Sequence, residues 1–341
     1  MALKFTAKDM KGVVSMNPTP STPDAGDWRQ TMSVDLKQSE KLFNATLASG
    51  ISGYALCGTT GENAGLLWEE KVAYIKCAVE TVKKRAYIFA GATSLGTKET
   101  IRQMRELHKL GADGCFVGLP LWQTPTIQNM GDWWRDLAEA CPDVPIMVYS
   151  NSMFFKTSFP VEFWQGVGKY GTTVVTNKIS YQSADLGKDM EAATSRVQFL
   201  PALMSLINLS RQYPGKFHGC WTTQASPEIM VAMVKAVESN DADGLARIEA
   251  DFKSLPSRNP PPLTPAPTGT GWQDRMATEF AHYNAQVERE GWNAQSYLPG
   301  GVGPMRPPYR DLPDHWKKSV AVWGKAMDEL RKKYTHQPAS R

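Results

Sequence analysis

Short apolar runs recur from residue 13 to about residue 255, each followed by a turn and an amphipathic stretch. The runs are near-continuous rather than alternating, which is typical of parallel strands buried on both faces. They lie at 13–17, 53–58, 87–92, 114–120, 145–150, 172–180, 197–202 and 217–223. Eight such runs with helices between them favour an α/β fold, a closed (β/α)8 TIM barrel, over an open sheet.

Helical patterns separate the runs, for example at 68–85 and 97–112. The rhythm stops after residue 255, where a proline-rich connector begins that cannot be helical. A long helical stretch at 272–292, a Gly/Pro turn and a terminal helix at 313–334 follow it. We therefore expect a barrel over 1–255 and a C-terminal helical extension over 256–341, packed on the barrel.

Composition narrows the classes of function. Hydrophobic residues make up 42% and charged residues 21% of the chain, which is usual for a globular protein. The 38 Lys and Arg against 34 Asp and Glu are interleaved, so no nucleic-acid partner is indicated. No stretch approaches the roughly 18 apolar residues of a membrane span, and the N-terminus has no signal-peptide core. We expect a cytoplasmic protein with no membrane partner.

Cysteine and histidine spacing argues against metal and disulfide sites. The five cysteines are odd in number and form no CxxC pair, and the five histidines show no paired-ligand spacing. We expect a reducing compartment and no metal. The segment 91–98, GATSLGTK, follows a predicted strand but lacks the lysine directly after its second glycine, so it does not match a phosphate-binding P-loop.

Lys178 is the most unusual residue at a predicted strand end, where β/α barrels carry their active sites. It lies in an apolar strand, where a lysine is costly unless it is paired or neutral. Burial lowers the pKa of a lysine, and a neutral amine attacks ketones. The alternative is a strand-end lysine that reaches solvent or pairs with Glu62.

Two other strand ends could serve the same chemistry. Tyr149 ends the preceding strand, so its hydroxyl could relay protons near Lys178, or it could be a core tyrosine. Gly58, Thr59 and Thr60 place hydroxyls and backbone N–H groups at a tight turn, which suits a carboxylate. The same turn could also be an ordinary loop.

The combination of GTTGE after strand two, a tyrosine ending strand five and a lysine in strand six resembles the dihydrodipicolinate synthase and N-acetylneuraminate lyase family. Within it, the chain is most similar to the hydratase-aldolases that cleave trans-o-hydroxybenzylidenepyruvate or its ortho-carboxy analogue. That similarity rests on MNPTPSTPDAGDWR (16–29), GTTGENAGLLWEEK (58–71), YSNSMFFKTSFP (149–160), VVTNK (174–178) and HYNAQVEREGW (282–292).

The resemblance implies roles for individual residues. Lys178 would form the Schiff base to a 2-oxo acid, and Tyr149 would be the general acid and base. Thr59, Thr60 and Gly58 would hold the pyruvyl carboxylate. Asn151, Trp221 and Asn284 would line the site around the aryl group and the added water. The family also implies a homotetramer and chemistry that needs no cofactor.

The chain departs from the synthase at two places. Leu119-Pro120-Leu121-Trp122 replaces a tyrosine pair, and the segment 150–156, SNSMFFK, lacks an arginine that binds a semialdehyde carboxylate. Both changes favour an aromatic aldehyde as the product. A lyase acting on a sugar acid or semialdehyde, and a non-catalytic barrel that binds a 2-oxo acid, stay as alternatives. The ring substituent is open, and Lys156 or Arg306 could meet a second carboxylate.

Overall fold

Eight parallel strands in the described part of the chain form one sheet that closes on itself. The structure is a computed structural model and describes residues 3–170, 173–180, 183, 185–202, 205–223, 226–263, 269 and 272–335. The strands are β1 (Gly12–Ser15), β2 (Gly53–Leu56), β3 (Tyr87–Gly91), β4 (Gly114–Val117), β5 (Ile146–Ser150), β6 (Val174–Ile179), β7 (Gln198–Leu200) and β8 (Gly219–Thr222).

The strand order β7-β6-β5-β4-β3-β2-β1-β8 makes every neighbour in the sheet a neighbour in sequence, except where β1 meets β8. A parallel bridge between Ala202 and Trp221 joins the two remaining edges beyond β7 and closes the barrel. Most strand residues are buried on both faces, which explains their near-continuous apolar sequences. The predicted (β/α)8 barrel and its eight strands are therefore confirmed.

Amphipathic helices surround the barrel. In the described residues they are α1 (Leu36–Ala48), α2 (Trp68–Val82), α3 (Thr97–Lys109), α4 (Ile127–Ala140), α5 (Ser152–Phe155), α6 (Val161–Tyr170), α7 (Leu186–Ala193), α8 (Ser205–Gln212), α9 (Pro227–Glu238) and α10 (Ala242–Lys253). Helix α3 shows why they pack as they do: its buried Thr100, Met104 and Leu107 repeat at helical spacing on one face. None of the described helices is long and apolar enough to cross a membrane.

The C-terminal extension contains α11 (Trp272–Met276), α12 (Glu279–Asn293) and α13 (Asp314–Thr335). The predicted helical stretch over 272–292 is interrupted at residues 277 and 278. Thr278 has extended backbone and caps α12, because its side chain accepts a hydrogen bond from the Ala281 N–H. Residues 264–268, 270 and 271 of the predicted proline-rich connector lie outside the described residues.

Helix α12 is held over the carboxyl end of the barrel. Trp292 is fully buried near its end, and the indole N–H donates to the Thr223 carbonyl just after β8, at 2.7 Å. Val287, on α12, packs with Trp316 and Val320 of α13. The extension is thus fixed both to the barrel and to its own last helix.

Substitution of Gly91, at the end of β3, tests how closely β3 packs against the loop after β2. A Cβ there would lie 2.1 Å from the Cys57 carbonyl oxygen, so Gly91→Ala must push backbone apart. We expect the free energy of unfolding to fall by about 1–3 kcal/mol or more. Gly131→Ala in α4 is the control, since a Cβ there meets nothing within 4 Å.

Chemical denaturation followed by circular dichroism measures both variants. Gly131→Ala should leave stability unchanged or raise it by up to about 1 kcal/mol, because alanine favours helix over glycine. Equal stability of Gly91→Ala and the wild type would contradict the close packing of β3 against the segment after β2.

Candidate active site

Lys178 lies near the carboxyl end of β6, directly beside Tyr149 of β5 in the strand register. Only 4% of its surface is exposed. Its amine donates to the Ser180 hydroxyl at 3.0 Å and lies 3.6 Å from the centre of the Trp221 ring and 4.5 Å from that of Tyr149. The amine therefore sits between two aromatic faces rather than in solvent.

Burial decides the protonation of this amine. Removal from water lowers the pKa of Lys178 to about 7, although the charge of Glu288 partly opposes the shift. About half of the amine is then neutral near pH 7, whereas an ordinary lysine is almost wholly protonated. A neutral amine in a cavity has the nucleophilicity that attack on a ketone needs. Lys178 does not pair with Glu62, which is bound elsewhere.

The Tyr149 hydroxyl is positioned by two neighbouring side chains. It lies 3.1 Å from the Thr59 hydroxyl and accepts a hydrogen bond from the Asn151 amide at 3.2 Å. The ring packs between Phe116 and Phe155, with centroids 4.7 and 5.3 Å away. The phenol is thus held beside both Lys178 and the loop after β2, where it can pass protons between them.

The loop after β2 is a tight turn built on left-handed backbone. Cys57 and Glu62 have φ values of 53° and 54°, and the Glu62 N–H donates to the Thr59 carbonyl at 3.0 Å. Gly61 is required because a Cβ there would lie 2.8 Å from the backbone nitrogen of Cys57. Thr59 and Thr60 both line the cavity that contains Lys178, as a carboxylate-binding loop would.

Glu62 forms a buried ion-pair cluster with Arg289 and Arg306 of the extension. The Arg306 guanidinium lies 2.8 Å from the Glu62 carboxylate, and the Arg306 backbone N–H donates to it at 2.9 Å. Both arginines also donate to the Thr19 carbonyl. Burial lowers the pKa of Arg289 to about 10. This cluster fixes the end of the loop after β2 to the extension.

Asn151, Trp221 and Asn284 all line the Lys178 cavity, which has a volume of about 240 Å³. Asn151 also caps α5, because its side-chain oxygen accepts the N–H groups of Met153 and Phe154. The Trp221 indole donates to the Ile179 carbonyl at 2.7 Å, which fixes its ring against the Lys178 amine. All eight residues predicted for the site are therefore at this end of the barrel.

A second cavity of about 430 Å³ adjoins the first, since Thr59, Tyr149 and Asn284 line both. Its other lining side chains are mainly apolar and include Leu121, Phe154, Phe155, Met276, Ala281 and Pro307. The pair of cavities offers a small polar chamber around the amine and a larger apolar chamber beside it.

Two charged residues in the Lys178 cavity were missed by the sequence interpretation. Arg258 and Glu288 both line it, and they form an ion pair of 3.0 Å. Glu288 could have been found, because it follows Asn284 by four residues and so faces the same side of α12. Arg258 has no such signal, since it lies in the proline-rich segment after α10, where no helical spacing relates it to the other site residues.

The residues considered for a second carboxylate are placed differently. Arg306 is occupied by Glu62, and Lys156 is exposed and lines neither cavity. Within the described residues, no group of three or more His, Cys, Asp or Glu is arranged to hold a metal ion.

Comparison with known proteins gives consistent matches. Residues 22–165 match the model of the "Dihydrodipicolinate synthetase family". The chain is 33% identical to a trans-O-hydroxybenzylidenepyruvate hydratase-aldolase of Pseudomonas aeruginosa, over 98% of this chain and 97% of that protein. It is 26% identical to a trans-2'-carboxybenzalpyruvate hydratase-aldolase of Nocardioides sp. (strain KP7), over 96% of both chains.

A solved structure described as "PhdJ bound to substrate intermediate" is similar over nearly its whole length. The TM-score is 0.88 at 28% sequence identity, and the alignment covers 98% of this chain and 100% of that one. The alignment covers nearly all of both chains, so the similarity includes the C-terminal extension as well as the barrel.

The lowered pKa of Lys178 predicts how its reactivity depends on pH. Trapping by pyruvate and borohydride requires the neutral amine, so the rate should level off above about pH 7. Below that pH the rate should fall about tenfold per unit, as the amine becomes protonated. Intact-protein mass spectrometry at a series of pH values measures it. A rate that keeps rising to pH 10 would indicate an ordinary, solvated lysine.

Glu62→Gln tests the ion-pair cluster. The change leaves two buried arginines without their carboxylate, so we expect the free energy of unfolding to fall by about 3–5 kcal/mol. Glu106→Gln is the matched control, because Glu106 pairs with Arg102 on the exposed face of α3 and its loss should cost less than about 1 kcal/mol. Chemical denaturation compares them, and equal effects would contradict the cluster's structural role.

Proposed function

This chain belongs to the dihydrodipicolinate synthetase family and is a lyase, and we propose that it is a class I hydratase-aldolase of arylidene pyruvates. The substrate would be a compound such as trans-o-hydroxybenzylidenepyruvate, which reacts with water to give an aromatic aldehyde and pyruvate. The observation that carries the proposal is the buried Lys178 amine, close to Tyr149 and Trp221, in a small cavity beside a larger apolar one.

The reaction begins at the lysine. The neutral Lys178 amine attacks the C2 ketone, and loss of water gives a cationic imine. The hydroxyls of Thr59 and Thr60, with the backbone N–H groups after Gly58, bind the carboxylate next to that carbon. Tyr149 lies against the same loop, so it can donate the proton that the departing hydroxide needs.

The cationic nitrogen then drives both later steps. It withdraws electrons through the conjugated double bond, so that water adds at C4 and the electron pair moves to form an enamine. Protonation at C3 restores the imine and gives a 4-hydroxy compound. Removal of the C4 hydroxyl proton breaks the C3–C4 bond, which releases the aldehyde and returns the electrons to the enamine. Protonation and hydrolysis release pyruvate, and no cofactor takes part.

The two cavities support an aryl substrate. A pyruvyl group fits the small polar chamber around Lys178, and the apolar lining of the second suits a flat ring. Asn284 lies between them and could hydrogen-bond a ring substituent. An ortho-hydroxyl or an ortho-carboxyl group remains a choice within this proposal, because the names of the relatives include both.

The family resemblance extends the proposal to assembly and context. We expect a cytoplasmic homotetramer that acts in the breakdown of aromatic hydrocarbons. Trp122, in the loop after β4, is 84% exposed in the single chain, and Leu121 beside it is also exposed. Apolar side chains so exposed suit contact with another subunit.

An aldol-direction assay tests the function. Pyruvate and a panel of aromatic, sugar and short aliphatic aldehydes are incubated with the protein, and both the consumption of pyruvate and the absorbance of any arylidene pyruvate are followed. We expect ortho-substituted benzaldehydes to react, and Lys178→Ala to lower the rate on the order of 10³-fold or more, because the imine cannot form. Lys109→Ala, an exposed lysine at the end of α3, is the control and should retain full activity.

Each alternative predicts a different result. Reaction of only sugar or aliphatic aldehydes would replace the arylidene substrate by one of the family's other substrate classes. Reversible binding of pyruvate without turnover of any aldehyde would indicate a non-catalytic 2-oxo acid binding barrel.

A further inference from the structure

Glu288 is a buried carboxylate that the steps above do not use. It lies on α12 with 6% of its surface exposed, and it lines the same cavity as Lys178. Its Oε1 atom accepts a hydrogen bond from Arg258 Nη1 at 3.0 Å. Its Oε2 atom is also buried, and among the described residues it has no hydrogen-bond partner.

Such an arrangement is energetically costly. A buried polar atom without a partner is destabilising, and more so when the group is charged. Helix α12 cannot easily move to relieve that cost, because two residues in its next turn hold it in place. Arg289 forms an ion pair with Glu62, and the Trp292 indole donates to the Thr223 carbonyl. The Oε2 atom is therefore kept in place for a hydrogen-bond donor that enters the cavity.

Asn284 indicates where that donor would be. It lies one helical turn before Glu288 and lines the same cavity, so the two side chains share a face of α12. Thr59 and Thr60 of the loop after β2 line the same cavity. An amide and a carboxylate at adjacent positions can hold one water molecule between them.

We propose that Glu288 is the general base that removes a proton from the water attacking C4. The inference rests on the proposed function and identifies the group that activates its second substrate. Tyr149 is less suited to this step, because its hydroxyl already contacts Thr59 and Asn151. The Glu288 carboxylate, by contrast, is held in position by Arg258 and can accept a proton from water.

Glu288 takes up one proton in this step and returns it in the next. The water oxygen forms the bond to C4 while one water proton passes to Oε2, and the double-bond electrons move to the enamine. The protonated Glu288 then returns that proton to C3, which restores the cationic imine. The carboxylate is regenerated, and a hydrogen and a hydroxyl have been added across the double bond. Carbon–carbon cleavage then proceeds with Tyr149, which gave up its proton during imine formation, as the base.

Arg258 acts in this scheme as a positioning residue. Its guanidinium occupies Oε1, so only Oε2 is left for the water. It also lies over the rings of Phe280 and Trp323, at 5.5 and 5.6 Å, which fix it from the side of the extension. The positive charge of Arg258 offsets part of the cost of burying the Glu288 carboxylate.

The test separates hydration from cleavage in Glu288→Gln, which keeps the shape of the side chain and loses its basicity. The variant is given either the arylidene pyruvate or the corresponding 4-aryl-4-hydroxy-2-oxobutanoate, which already contains the water. We expect conversion of the first to fall by about 10²–10⁴-fold and that of the second by less than about tenfold. In the aldol direction, the variant should consume aldehyde and accumulate the hydroxy compound without the arylidene absorbance.

Glu290→Gln, on the same helix but outside both cavities, is the matched control and should convert both compounds like the wild type. Trapping by pyruvate and borohydride shows that the Lys178 site of each variant is intact. Glu288→Ala with added formate gives a second measurement, because formate should restore conversion of the arylidene pyruvate if a carboxylate base is missing.

Three outcomes would overturn the proposal. Equal loss with both compounds would assign Glu288 to imine formation or to structure, and full activity with both would remove it from catalysis. Failure of the wild type to convert any arylidene pyruvate would instead refute the proposed function, and this inference with it.

Discussion

The buried ion pairs of Glu62 with Arg289 and Arg306 are the constraint on which the site depends. Three charged groups removed from water are stable only if they neutralise and hydrogen-bond one another. Their side chains come from the loop after β2, from α12 and from the turn before α13. Because these charges pair with one another, the loop after β2 and the extension must lie against each other. The position of α12 over the barrel follows from that requirement.

The position of α12 in turn determines the chemistry of Lys178. A barrel mouth open to solvent would leave its lysine hydrated and protonated. Here α12 brings Asn284 and Glu288 to the cavity, and Phe280 and Arg258 complete its wall. Water exclusion then lowers the pKa of the amine, while the Glu288 charge limits the shift. The reactivity of a β6 lysine thus depends on a helix more than 100 residues later in the sequence.

The sequence predicted the barrel because each strand carries its own signal, a short apolar run with a polar residue at its end. It singled out Lys178 for the same reason, since a lysine in an apolar strand is a local anomaly. It did not separate α11 from α12, because the break at Thr278 is an N-cap in an otherwise helical pattern. It did not identify Glu62 as the partner of Arg306, and it did not point to Arg258. Both residues form ion pairs with distant segments, and such pairs leave no local pattern in the sequence. Only the fold brings Glu62 and Arg306, 244 residues apart, together.

The most direct measurement is to locate the adduct after pyruvate and borohydride treatment by peptide mass spectrometry. The chain offers an internal comparison, since Lys71 on α2 is also buried and its pKa is also lowered, but it donates to Gln103 and lines neither cavity. The account predicts a single reduced adduct on the peptide that contains Lys178. An adduct on Lys71 or spread over surface lysines, with Lys178 unmodified, would contradict it.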